Sequence, residues 1–491
     1  MLNVGTGAPS VCVKSTHRRY KVRQLALTSR ELLRVARPHP FAPTRPVLST
    51  KAAGPDEGKK SFEDFQRALF DAGAIESDEP VIDLEDFDVP VVKGGGVLLR
   101  IVAFTLAAWC HALAPLGGRW GAAASSSGVS GVSLFATPLQ WFGVAFIMSA
   151  LMSGAFARVM KQRRFFQPIR AEGPASHATS KTKTKTPTAG GVAFVPIGCL
   201  VALFFTRLGD PSTNAVVATT LLFLGIGLKD DVGKLMGKAN DAGLRPLVKF
   251  ALQWTVALLF VYFIALLNIA GVSPISTTVT FGFGVFGALF EQLITGTVNG
   301  LHAVKTLYLP LGNLFYLLSA FAIVAESNAV NVTDGVDGLA SSTCAIAFVA
   351  LGVVCVANGS AELGAFAIAM GGASCGFLAV NRHPAAIFMG DSGSLALGGA
   401  LGATAAAAGG FATFPLFVIT LVFVVEVVSV IAQVGWFKFT KKRSGEGKRL
   451  LRMAPLHHHL ELGGWGEVKV VATMCAFGAL AALVGVAVAG G

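Results

Sequence analysis

Residues 338–357 read GLASSTCAIAFVALGVVCVA, and residues 361–380 read AELGAFAIAMGGASCGFLAV. Glu362 is the only charge in the two segments. Apolar residues fall on every face of the helix either would form, not on the one-sided stripe of a globular helix. Each is close to the ~20 residues that a bilayer core asks of one helix. This pair is therefore read as two membrane spans.

Working outward, the same reading finds spans near 133–157, 189–206, 213–228, 247–268, 311–330, 387–408, 411–435 and 468–489. The fold class is an all-α polytopic membrane protein of about ten transmembrane helices. Residues 97–114 are apolar but carry Arg100 and His111, which leaves an extra N-terminal span open. Composition agrees: the 491 residues are 53% hydrophobic and 14% charged, against about a quarter charged in soluble domains.

The net charge of +12 raises nucleic acid as a partner. The cations sit in short loops and an N-terminal segment, so that class is excluded. Seven cysteines without a CxxC pair support neither a disulfide framework nor a thiolate metal site. Residues 1–55 hold ten Lys/Arg against one acid, Glu31, the composition of an organelle transit peptide. Residues 56–95 reverse the sign, with twelve acids against four bases, and read as a largely disordered acidic linker. Residues 96–132 form an N-terminal extension, and 133–491 the transmembrane domain.

Loops 158–188, 229–246, 331–337, 381–386 and 436–467 each follow an odd-numbered span, so all five emerge on one face. Most of the loop lysines and arginines lie on it, which makes it cytoplasmic, or stromal in a plastid. From residue 96 onward the chain has only fifteen Asp/Glu. Asp230, Asp231, Asp334, Asp337, Asp391 and Glu461 crowd these loops and span ends. An acid at a membrane boundary is costly unless paired, metal-bound or working. Five aspartates converging from three loops suggest a divalent cation and a phosphate.

Asn328, Asn331, Asp334 and Asp337 recur at intervals of three, which on a continuing helix makes one polar stripe suited to a base or sugar. Thr186-Pro-Thr-Ala-Gly-Gly191 opens a span, where glycines admit a ligand and a helix start favours phosphate. Ala454-Pro-Leu-His457-His458-His459-Leu-Glu461 places three imidazoles in one loop. Phosphate contact is favoured there over zinc, since adjacent histidines rarely all ligate one ion.

GPASH, TPTAGG, DDVGK, NAVNVTDGVDGLA, FMGDSGSLALGG and APLHHHLELGGW together resemble the phospho-N-acetylmuramoyl-pentapeptide transferases, over about 133–489. That resemblance implies a ten-helix fold with a cleft at the cytoplasmic face. It implies UDP-N-acetylmuramoyl-pentapeptide as donor, a polyprenyl phosphate as acceptor, Mg²⁺ as metal, and lipid I and UMP as products. Asp391 would ligate Mg²⁺, and Asp230 would be the base for the lipid phosphate, with Asp231 beside it. His457 and His458 would meet the diphosphate or metal. Lys183, Thr188, Lys234, Asn331, Asp334, Asp337, Asn381, Phe388 and His459 would line the substrate pocket, with Phe388 stacking on uracil. A second copy of the chain is a candidate partner.

Ala189 stands where the family usually has Met, and Lys185 where it usually has Gly. Lys181 and Lys185 compete with Lys183, because the loop after His177 is longer. Lys441–Lys448 is an insertion. Residues 1–130 have no counterpart in the bacterial pattern and, with the basic leader, suggest a plastid form in the inner envelope, its site facing the stroma. Three alternatives stand beside this reading: UDP-N-acetylglucosamine as donor, Asp230 as nucleophile in a two-step route, and an ion-coupled transporter.

Overall fold

The computed structural model describes residues 138–163, 165–166, 186–206, 209–237, 243–282 and 306–489. The expected transit peptide, acidic linker, N-terminal extension with span 97–114, and Lys183 with its rivals Lys181 and Lys185 lie outside these residues.

Twelve helices and one β-ribbon are described. They are α1 (Pro138–Gln162), α2 (Gly191–Thr206), α3 (Pro211–Gly237), α4 (Pro246–Ile269), β1 (Thr278–Gly282), β2 (Thr306–Pro310), α5 (Leu314–Thr333), α6 (Leu339–Ala357), α7 (Ala361–Asn381), α8 (Gly390–Ala408), α9 (Gly410–Ile419), α10 (Leu421–Ser444), α11 (Leu456–Glu461) and α12 (Glu467–Ala489). Eight of them are long and apolar enough to cross a membrane, and α2 and α9 are shorter apolar helices. The protein is a polytopic helical membrane protein.

α6 is the centre, buried from Leu339 to Val356. It packs on α7 and α12; α7 packs on α1 and α2, and α8 joins α3 and α5. The outer helices turn apolar residues outward: Leu151, Leu259, Tyr262 and Ile431 are all more than half exposed. In a bilayer that is the lipid-facing surface.

Four expectations need correction. The 229–246 segment is not a loop through its aspartates, because α3 runs on to Gly237 and carries Asp230, Asp231 and Lys234 in its last turns. The apolar window ended where charge began, but the backbone hydrogen bonds continued. The span expected at 411–435 is broken at Thr420. At that break the Thr420 hydroxyl donates to Glu326 Oε1 at 2.7 Å. The ribbon β1–β2, antiparallel from Thr278↔Pro310 to Gly282↔Thr306, had no place in an all-helical reading. Finally, the stripe from Asn328 to Asp337 does not continue on one helix. α5 ends at Thr333, and Asp334 leaves helical geometry with ψ 54.

Candidate active site

The ends of α3 and α5 meet the starts of α4 and α8, and the acids gather at that junction. Gly227 and Asp231 lie one turn apart on the same face of α3. A β-carbon at Gly227 would collide with the Asp391 carbonyl, so the glycine lets α3 press on the first turn of α8. One turn later Asp231 spends both carboxylate oxygens on that helix start. Oδ1 accepts the Asp391 N–H and Oδ2 the Ser392 N–H, each at 3.0 Å. These are orphan donors at a helix N-terminus, the place where a carboxylate is most welcome. Asp231 therefore fixes Asp391.

Asp391 and Asp230 meet two ammonium groups. Lys234 Nζ lies 2.6 Å from Asp230 Oδ2 and 3.0 Å from Asp391 Oδ2. Lys249, from the first turn of α4, reaches Asp391 Oδ2 and lies 3.6 Å from Asp230 Oδ2. Asp391 Oδ1 accepts from Asn331 Nδ2 at 3.0 Å, and the same amide donates to Ser394 Oγ at 2.8 Å. Asp230 Oδ1 accepts the Leu244 N–H at 2.8 Å. Two acid oxygens thus share two ammonium groups, and both carboxylates are buried. Buried charges of this kind stand only because they are paired.

The other expected residues divide. Thr188 is buried with no partner for its hydroxyl, and a β-carbon on Gly390, next to Asp391, would sit 2.9 Å from its Oγ1. An orphaned hydroxyl beside Asp391 suits a ligand. The glycines of TPTAGG serve packing instead of opening to a ligand: Gly190 and Gly191 donate to the Phe388 and Met389 carbonyls at 2.9 and 3.0 Å. Phe388 keeps a partly exposed ring. Asn381 is buried and committed at both ends, its amide donating to the Ile387 carbonyl and its oxygen accepting from Ser341. It holds the loop before Phe388.

Asp337 Oδ2 accepts the Ala385 N–H at 3.0 Å and lies 3.1 Å from His383 Nδ1. His383 also reaches Glu467 Oε2 at 3.3 Å. The hydrogen bond to Asp337, then that to Glu467, pushes the imidazole up to about 9. One ligand atom from each residue falls within 4.8 Å of the others, and a proton on His383 offsets one of the two carboxylate charges. Asp334 follows α5 as its C-cap residue.

His457 is fully buried, its Nδ1 3.1 Å from Glu426 Oε2. His458 Nδ1 lies 2.7 Å from Glu461, and His459 Nδ1 accepts the Arg452 N–H at 3.1 Å. The insertion before this loop folds back on α10. Lys448 N–H donates to Thr440 Oγ1, Leu450 and Leu451 N–H donate to Gln433 Oε1, and Gly447 packs on the Phe437 ring.

The structure therefore brings Asp230, Asp231, Asp391, Lys234, Asn331 and Thr188 together, and sets His457 and His458 against separate carboxylates and His459 against the Arg452 backbone. Ser394, His383, Glu426 and Glu467 were not anticipated. An acid inside the apolar run 411–435 was the signal for Glu426.

A helical membrane scaffold with acids and lysines gathered at helix ends defines a class, and residues 213–409 match the description glycosyl transferase family 4. The chain is 40% identical over 356 residues, 72% of its length and 84% of the relative's, to the phospho-N-acetylmuramoyl-pentapeptide-transferase of Gloeothece citriformis. It is 40% identical to the Synechocystis sp. protein of the same name, covering 71% of this chain and 86% of that one. With the protein of that name from Picosynechococcus sp. it shares 41% identity, covering 67% and 81%. The chain belongs to the phospho-N-acetylmuramoyl-pentapeptide-transferase family.

Proposed function

We propose that the chain transfers phospho-N-acetylmuramoyl-pentapeptide from its UDP derivative to a polyprenyl phosphate, giving lipid I and UMP. The observation that carries this is the convergence of Asp230 and Asp391 on shared lysines at one end of the bundle. Both substrates are anionic, and this cluster supplies balanced charge at a water–lipid boundary. A lipid phosphate oxygen attacks the β-phosphorus of the donor; the bond between that phosphorus and the bridging oxygen breaks, and UMP leaves with the electron pair. Such chemistry asks the protein mainly for positioning and charge neutralisation.

Asp230 stands as the group facing the lipid phosphate, and Asp391 is fixed by Asp231 and Asn331. Lys234 and Lys249 offset the charge of the phosphates. Thr188, Asn331, Asp334, Asp337 and Phe388 line the donor side, with Phe388 offering its ring to uracil. A divalent cation fits this donor set, because Asp230 Oδ2 and Asp391 Oδ2 already converge on the same two ammonium groups. Asp391, with Asp230, would hold Mg²⁺, which when bound supplies Lewis-acid stabilisation of the diphosphate. The basic N-terminal segment supports a plastid envelope location with the site facing the stroma.

The test is UMP release by the purified protein with donor, polyprenyl phosphate and Mg²⁺, repeated after chelation. Release must require all three. Equal turnover of UDP-N-acetylglucosamine would overturn the donor assignment, and a trapped phospho-enzyme would move Asp230 from base to nucleophile.

A further inference from the structure

Glu426 is the only charged residue between Leu421 and Phe437. It and His457 are both fully buried. A lone carboxylate in such a place is expensive, and a partner must justify it. Its Oε2 faces His457 Nδ1 at 3.1 Å and also lies 3.4 Å from the His457 backbone N–H. One carboxylate oxygen thus fixes both the ring and the start of α11. The arrangement has the logic of a carboxylate that orients a working imidazole from behind.

The opposite ring nitrogen, Nε2, is buried with no hydrogen-bond partner among the described residues. It faces Gly335, where a β-carbon would collide with it. Gly335 is not among the glycines with positive φ, so its backbone does not ask for glycine. The imidazole does. Gly335 lies between Asp334 and Asp337 in the turn that joins α5 to α6. The order of contacts is therefore Glu426, His457, then the acid-bearing turn.

We infer that Glu426 is a positioning residue: through His457 it sets the Asp334–Gly338 turn that faces the donor. This rests on the reading of Asp334 and Asp337 as donor-side residues. Glu426 has no part in lipid binding on this account, so its loss falls on one substrate only. Gln keeps an acceptor oxygen for Nδ1, whereas Leu keeps none.

The experiment is steady-state UMP release by the full chain, varying UDP-donor and polyprenyl phosphate separately, for E426L, E426Q, G335A and E426L/G335A. Removing such an outer partner costs about 10- to 100-fold. The expected result is a loss of that size in kcat/KM for the donor with E426L, and an unchanged KM for the lipid. E426Q recovers most of it, and G335A reproduces it from the other end. The double variant costs little beyond either single one, since both break the same chain of contacts. Additive losses, equal damage by Gln and Leu, or a lipid KM that moves as far as the donor's would overturn the inference. Should E426L fail to fold, G335A, which leaves the buried pair intact, decides by the same split of KM values. Donor affinity by calorimetry without lipid must give the same ranking, which separates failure of this inference from failure of the transfer reaction.

Discussion

Two acid-bearing regions of this molecule handle charge in opposite ways. At the junction of α3 and α8, Asp230 and Asp391 face lysines whose side chains are still 14% and 17% exposed. In the histidine loop, Glu426 and His457 are sealed at 0% exposure on both sides. The first region can exchange its cations for a ligand; the second can only hold a shape. The difference separates acids open to exchange from acids that set geometry, and residue type alone does not. Asp231 is the instructive case. It sits in the first region but behaves like the second, since both its oxygens are taken by the backbone of α8.

The comparison breaks most sharply at Asp391. D391N should lower UMP release by about 10²–10³-fold or more, the scale of losing a main electrostatic contact, well beyond what the accompanying fall in thermal melting from the broken buried ion pair accounts for. Turnover near the wild-type level would remove Asp391 from the chemistry. D231N should behave differently. Its amide nitrogen opposes one of the two N–H groups, leaving a buried donor unsatisfied at about 1–3 kcal/mol. Melting temperature and transfer should fall together; a loss of transfer alone would return Asp231 to the reacting groups.

Smaller still is the pH effect at His383. Its pKa rises from 6.5 to about 9 on folding, so the stability it gives is complete below about 6.5 and is lost as pH climbs through 9. Because the side chain is 35% exposed, solvent screening limits the effect to about 1 kcal/mol or less. The melting difference between wild type and H383Q should therefore shrink between pH 7 and pH 9.5, and a constant difference would refute the ion triad. Least of all, Y262F on the lipid-facing side of α4, where Tyr262 is 64% exposed, should stay within about 0.5 kcal/mol in unfolding measurements.

Much of this was legible in the sequence. Apolar length located the long helices except α10, which it merged with α9, because in lipid the backbone satisfies itself within the helix. The crowding of acids in an acid-poor chain located Asp230, Asp231 and Asp391. What sequence could not supply was the division of labour among them. Nothing in the Asp-Asp pair says that Asp231 caps α8 while Asp230 meets lysines; that follows from Gly227 letting two helices touch. Helix ends were misplaced for a related reason. Hydropathy stops at Asp230, whereas hydrogen bonding carries α3 on to Gly237. The β1–β2 ribbon carries no period long enough to compete with the spans around it.

The segment Lys441–Lys448, read from the sequence as an insertion, shows how added length can be held locally. Its residues extend α10 and are then clasped back by Thr440 and Gln433, so the added length is consumed locally and the ends of the excursion stay close together. The stretch leading to the imidazoles therefore starts from a fixed anchor. Length variation at this point should be invisible to the loop beyond it, and swapping the insert for a short turn should leave the reaction's kinetics as they were.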